Sequence, residues 1–168
     1  MRRYLEVERL LKVFFSSFDY CLSKCIKPEL RKNGDRPVAA CCTKPYYSLM
    51  DLEHPAFERL KQERETLFGR PEDYSWENAV SPCGYHNPAK GCLLETHKSP
   101  VCIAFLCPGG IDLLRNRYGV YGYDFSGIYY ALEWILTGDF PDRQYCEFKD
   151  GINTMTVKII SSDGGSIL

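Results

Sequence analysis

A chain of 168 residues, 45% of them hydrophobic, has enough apolar material for one domain with its own core and does not depend on crosslinks merely to fold. Its formal charge is −1, with 21 basic residues spread among 22 acidic ones, which weighs against nucleic acid as a principal partner because phosphate binding needs concentrated positive charge. Nine cysteines therefore need a reason other than stapling a small secreted module.

The chain opens MRRYLEVERLLKVFF, where Glu6, Glu8, Arg9 and Lys12 interrupt what would be the apolar region of an export signal. No run reaches the roughly 18 apolar residues of a transmembrane helix. The expectation is a soluble, cytoplasmic protein with no membrane partner and reduced thiols, which turns the cysteines toward metal or redox chemistry.

Residues 2–23 read as a helix, with Leu5, Leu10, Leu11, Phe14, Phe15 and Phe18 forming an apolar stripe at three- and four-residue spacing. Cys21 and Cys25 share a face if that helix continues to Lys27, and Pro28 predicts its end nearby. Residues 27–47, punctuated by Pro28, Gly34, Pro37 and Pro45, read as loop and carry Cys41 and Cys42. A second helix is expected over residues 55–68: His54 stands at its start and Pro55 suits the first turn. Phe57, Leu60 and Leu67 share its inner side, and Gly69 and Pro71 close it. Glu58, Lys61, Glu63, Arg64 and Glu65 read as its solvated face.

Residues 72–80 are irregular and lead into SPCGYHNPAKGCLLETHKSPVCIAFLCP, residues 81–108. This stretch, rich in Pro and Gly, reads as a loop built to bind something through sulfur. Pro108 and Gly119 bracket a short helix, and Asp124 caps a longer one that runs through Thr137 to a stop at Gly138. Phe125, Ile128, Tyr129, Leu132, Trp134, Ile135 and Leu136 make this the most buried helix expected. Strand-forming residues at 145–149 and 154–160, with Asp150-Gly151 between them, predict a small C-terminal β-hairpin followed by a flexible end over residues 161–166. Without repeats or linkers, the expected architecture is an α+β, predominantly helical single domain over residues 1–168, with cysteine-rich loops around a metal site.

Eight residues separate Cys83 from Cys92 and nine separate Cys92 from Cys102, while the Cys41-Cys42 pair lies upstream. Soft thiolates argue against magnesium or calcium. Structural zinc and iron–sulfur clusters are both commonly held by four thiolates, so the donors leave zinc and iron open. Cys107, ahead of Pro108 and a helix start, is either a further ligand or a small apolar residue. Cys146, in an expected strand, reads as core. His86 and His97 flank Cys92, as ligands, as donors to ligands, or as solvated loop residues. Tyr118, Tyr121, Tyr123, Tyr129 and Tyr130 read as core aromatics with hydroxyls at the rim, or as a binding face. No GxSxG, HExxH, phosphate-loop or GxGxxG motif is present.

The order Cys41-Cys42, Cys83 with Tyr85, Gly91-Cys92-Leu93, Pro100, and Cys102 with Phe105 resembles the YkgJ-type, or CxxCC, cysteine cluster family of zinc- or iron-chelating proteins. The resemblance covers residues 36–108 and departs where the family places a cysteine three residues before the doubled one, a position held here by Val38. It implies a metal site drawn from Cys41, Cys42, Cys83, Cys92, Cys102 and Cys107. The expected function is intracellular chelation of zinc or iron. The alternative it carries is an iron–sulfur protein with a redox or methylation-related enzymatic role. A disulfide-stapled exported protein is the weaker third reading, against which the odd cysteine count and the adjacent pair both weigh.

Overall fold

The computed structural model describes residues 1–34, 45–48, 53–74, 83–87 and 90–164. They are mostly helical, with one small two-stranded antiparallel sheet. The chain divides into two compact units, one of residues 1–19 and 103–168, the other of residues 20–102.

The first unit is helical. Helix α1, Arg2–Ser16, packs on two helices from the far end of the chain, and it buries Tyr4, Val7, Leu11 and Phe14. This three-four-three spacing is the inward stripe; Leu5, Leu10 and Phe15, expected on it, flank it part-buried. The helix also ends earlier than residue 23, at a cap on Ser17. Phe18 is buried just beyond it.

Two helices of this unit lie where their caps predict. One, α5, Pro108–Tyr118, has Cys107 at its N-cap and Gly119 in the left-handed conformation at its end, φ 61°. The other, α6, Phe125–Thr137, starts where Asp124 accepts from the backbone N–H groups of Ser126 and Gly127 and stops at left-handed Gly138. Ile128, Ala131, Leu132, Ile135 and Leu136 of α6 are buried, whereas Trp134 is half exposed. Tyr123 lies flat against Phe14, with ring centroids 5.5 Å apart.

The expected C-terminal hairpin is absent. Residues Asp142–Gly164 form one helix, α7, which continues through the expected turn at Asp150-Gly151 and into the expected flexible end. Its inward residues are Tyr145, Ile152, Thr156 and Ile159, spaced seven, four and three apart, while Val157 and Ile160 face solvent. A strand would have alternated them. Packing against α1 outweighs the local preference of β-branched residues for extended chain.

In the second unit, a π-helical turn, Cys21–Ile26, runs directly into α2, Lys27–Lys32. Pro28 stands just inside that helix, directly after the π-helical turn, instead of ending one. Residues 27–32 are thus helix where loop was expected. Helix α3, Pro55–Phe68, has the expected bounds; His54 Nδ1 accepts from Ala56 N at 3.2 Å and Gly69 follows its end. Its buried residues are Phe57, Leu60 and Arg64, and Leu67, expected inside, is 60% exposed. The supposed loop at residues 81–108 contains strands β1, His86–Asn87, and β2, Gly91–Cys92, and a short helix α4, Pro100–Ala104, before α5. Among the described residues no helix is long and apolar enough to cross a membrane.

Candidate metal centre

Three of the expected ligands, Cys83, Cys92 and Cys102, lie in the second unit. Cys83 leads a tight turn in which its carbonyl accepts from His86 N at 2.9 Å. The turn starts β1, and β2 returns antiparallel with Cys92 paired to His86 and Gly91 to Asn87. Asn87 closes the connection by accepting from Lys90 N at 2.9 Å through its side chain. Cys102 sits on α4, where its backbone N–H donates to Ser99 Oγ at 3.3 Å. Ser99, fully buried, donates in turn to the Tyr46 carbonyl at 2.8 Å. Cys83 and Cys102 are part-buried and Cys92 is exposed, its thiol 3.8 Å from the Leu94 carbonyl.

These thiols feel one another. Burial pushes the Cys83 thiol up from its ordinary value, and negative charge on Cys102 and Cys92 pushes it further. Burial likewise raises Cys102; a hydrogen bond with Ser99 opposes this and charge on Cys92 adds to it. The Arg64 guanidinium pulls both thiols the other way.

Arg64, expected on the solvated face of α3, is buried instead. It is 2% exposed. Its Nη1 donates to the Tyr47 carbonyl at 3.1 Å, and its guanidinium carbon lies 5.6 Å from the ring centroids of both Tyr47 and Tyr85. Those rings meet edge to face at 5.1 Å, and Tyr85 donates its hydroxyl to the Gly69 carbonyl at 2.9 Å. Burial pushes the Tyr85 phenol up to about 12, against the pull of Arg64. A signal was present in the sequence: Arg64 falls on the same three-four stripe as Phe57 and Leu60.

The histidines are not solvated. His86 and His97 are both 7% exposed. His97 holds a left-handed backbone, φ 59°, uncommon for a residue with a Cβ. Its ring lies 2.9 Å from Thr96 Oγ1 and 3.2 Å from Glu63 Oε2.

Cys107 belongs to the first unit, at the N-cap of α5, where its side chain makes no capping bond. Cys146, expected in a buried strand, is exposed on α7. Cys21 is part-buried in the π-helical turn. Cys41 and Cys42 lie outside the described residues. Of the expected tyrosines, Tyr118 and Tyr123 are buried, and Tyr121 and Tyr130 face solvent.

The donor chemistry suits a soft or borderline cation. Among the described residues, no group of three or more His, Cys, Asp or Glu side chains is gathered closely enough to hold one. Compared with protein-family models, curated proteins and solved structures, the chain matches none.

Proposed function

We propose that the protein chelates zinc or iron through clustered cysteine thiolates, with Cys83, Cys92 and Cys102 joined by Cys41 or Cys42. The observation that supports this reading is that Cys83, Cys92 and Cys102 lie in one unit, where negative charge on Cys92 pushes up the thiols of both Cys83 and Cys102. Burial and neighbouring charge make isolated thiolates costly there, and a bound cation removes both costs. The resemblance to the CxxCC family belongs to the same reading. A reducing compartment such as the cytoplasm, which keeps thiols available as ligands, belongs to the same proposal.

Bound metal would supply folding free energy by tying cysteine-bearing segments together. Metal and sulfide analysis of anaerobically isolated protein tests this. Stoichiometric zinc or iron, lost on chelation with a lower melting temperature, is expected; replacing Cys83, Cys92 and Cys102 together by Ser should abolish it. Iron with equimolar inorganic sulfide and visible absorbance would assign a cluster. Protein isolated without metal, and unable to take up zinc or ferrous iron when reduced, would sink the proposal.

A further inference from the structure

We infer that the outer face of α6, a band of aromatic rings edged by carboxylates, is a docking surface for an arginine-bearing segment of another protein. This face belongs to the first unit and is independent of the metal reading. Helix α6 turns its aliphatic residues inward, with Ile128, Ala131, Leu132, Ile135 and Leu136 buried, and leaves its aromatic ones outside. Tyr130 and Trp134, one turn apart, are each 53% exposed. Phe125, Tyr129, Tyr130, Trp134, Phe140 and Phe148 follow one another ring to ring, with centroids 5.2 to 6.5 Å apart, and none of them is buried. Single exposed apolar residues are ordinary, whereas a continuous band marks a surface that meets something.

Charge identifies the partner. Residues 118–142 include Asp124, Glu133, Asp139 and Asp142 and no Lys, Arg or His. Two of these acids bracket the exposed pair of rings. Glu133 accepts from the Tyr129 hydroxyl; Asp139, just past the end of α6, donates its backbone N–H to the Trp134 carbonyl at 2.9 Å, and its carboxylate accepts from Thr137 at 2.6 Å. Neutral hydroxyls orient these carboxylates without cancelling their charge. Burial, then the hydrogen bond and charge of Glu133, raise the Tyr129 phenol, with no base opposing them among the described residues. Arg143 and Lys149, on the helix that carries Phe148, are each paired with an acid, Glu147 and Glu6. Among the described residues no cation lies over the Tyr129, Tyr130 or Trp134 ring. Ring faces are themselves negative, so rings and carboxylates together attract a cation with an apolar body. Arginine meets both demands, laying its stem and planar guanidinium on a ring while its N–H groups reach an acid.

The test is a fluorescein-labelled peptide of alternating arginine and glycine, titrated with the protein and read by anisotropy, beside the same peptide with citrulline in place of arginine. Binding tighter than about 1 mM is expected for the arginine peptide alone. Trp134→Ala should weaken it roughly 3–30-fold, and Glu133→Gln combined with Asp139→Asn should weaken it and flatten its dependence on salt. Equal binding of the citrulline peptide, binding of neither peptide, or undiminished binding by either variant folded by circular dichroism overturns the inference. Should Trp134→Ala fail to fold, the wild-type Trp134 indole N–H resonance decides: it should shift with the arginine peptide and not with the citrulline one, and an unchanged resonance overturns the inference. Light scattering and sedimentation with phosphatidylcholine vesicles separate the other occupants. A dimer or vesicle binding that Trp134→Ala abolishes, in a protein that ignores the arginine peptide, would give the band to a second copy or to a membrane surface and overturn the inference.

Discussion

Tyr145 donates its hydroxyl to Glu6 at 2.8 Å, and Lys149, one turn later on α7, bonds the other oxygen of the same carboxylate. One acidic residue on α1 thus holds two side chains of α7. The hydrogen bond from Lys149, then that from Tyr145, keeps the Glu6 carboxyl below the usual range against the opposing effect of burial. A carboxyl lowered by folding contributes stability that is complete above its unfolded value, about 4.3, and lost as the pH falls through the folded one. Glu6→Gln should therefore lower the melting temperature at neutral pH and flatten its decline from about pH 5 to pH 3. Calorimetry across pH checks this, and parallel curves for variant and wild type would refute it.

Gly151 lies inside α7, and a Cβ there meets nothing within 4 Å. Alanine should stabilise the protein by about 0.5–1 kcal/mol, since glycine in a helix interior carries that penalty. In a hairpin turn requiring positive φ the same change would destabilise it. A thermal melt of Gly151→Ala gives the sign directly.

Asp124 satisfies two N–H groups at the start of α6, at 3.2 and 2.9 Å. Asp124→Ala should cost about 1 kcal/mol and lower the melting temperature by about 2–4 °C. Asp124→Asn should stay near wild type, because an amide oxygen also caps; a large loss with Asn would mean that the carboxylate serves something besides the helix.

Exposure orders the thiols. In metal-free, reduced protein, Cys92 and Cys146 stand open to solvent, whereas burial raises Cys83 and Cys102 and so lowers their thiolate fraction. Timed alkylation followed by peptide mass spectrometry should label Cys92 and Cys146 before Cys83 and Cys102. Labelling of Cys102 as fast as Cys92 would contradict the burial of α4.

Where capping chemistry marks an end, the helices are readable from residues alone. His54 and Gly69 bound α3, Pro108 and Gly119 bound α5, and Asp124 and Gly138 bound α6. Errors arose where a local preference met a distant partner. Asp150-Gly151 looks like a turn until α1 offers α7 a surface for Tyr145, Ile152 and Ile159. Arg64 looks solvated among the charges of α3 until Tyr47 and Tyr85, 17 residues before it in the first case and beyond Gly69 in the other, enclose it. Three cysteines within one unit follow from their closeness along the chain; their electrostatic setting depends on Ser99 and Arg64, whose burial no spacing of thiols announces.

The discontinuity of the first unit gives the protein an order of assembly at birth. Residues 20–102 emerge as one continuous block, whereas α1 must await partners such as Tyr145 and Lys149, 139 and 143 residues after Glu6. At synthesis rates of about 5–20 residues per second, that wait is on the order of ten seconds. During it Tyr4, Val7, Leu11 and Phe14 have no covering helix, so this stretch of the nascent chain stays sticky in a way that a ribosome-associated chaperone is suited to shield.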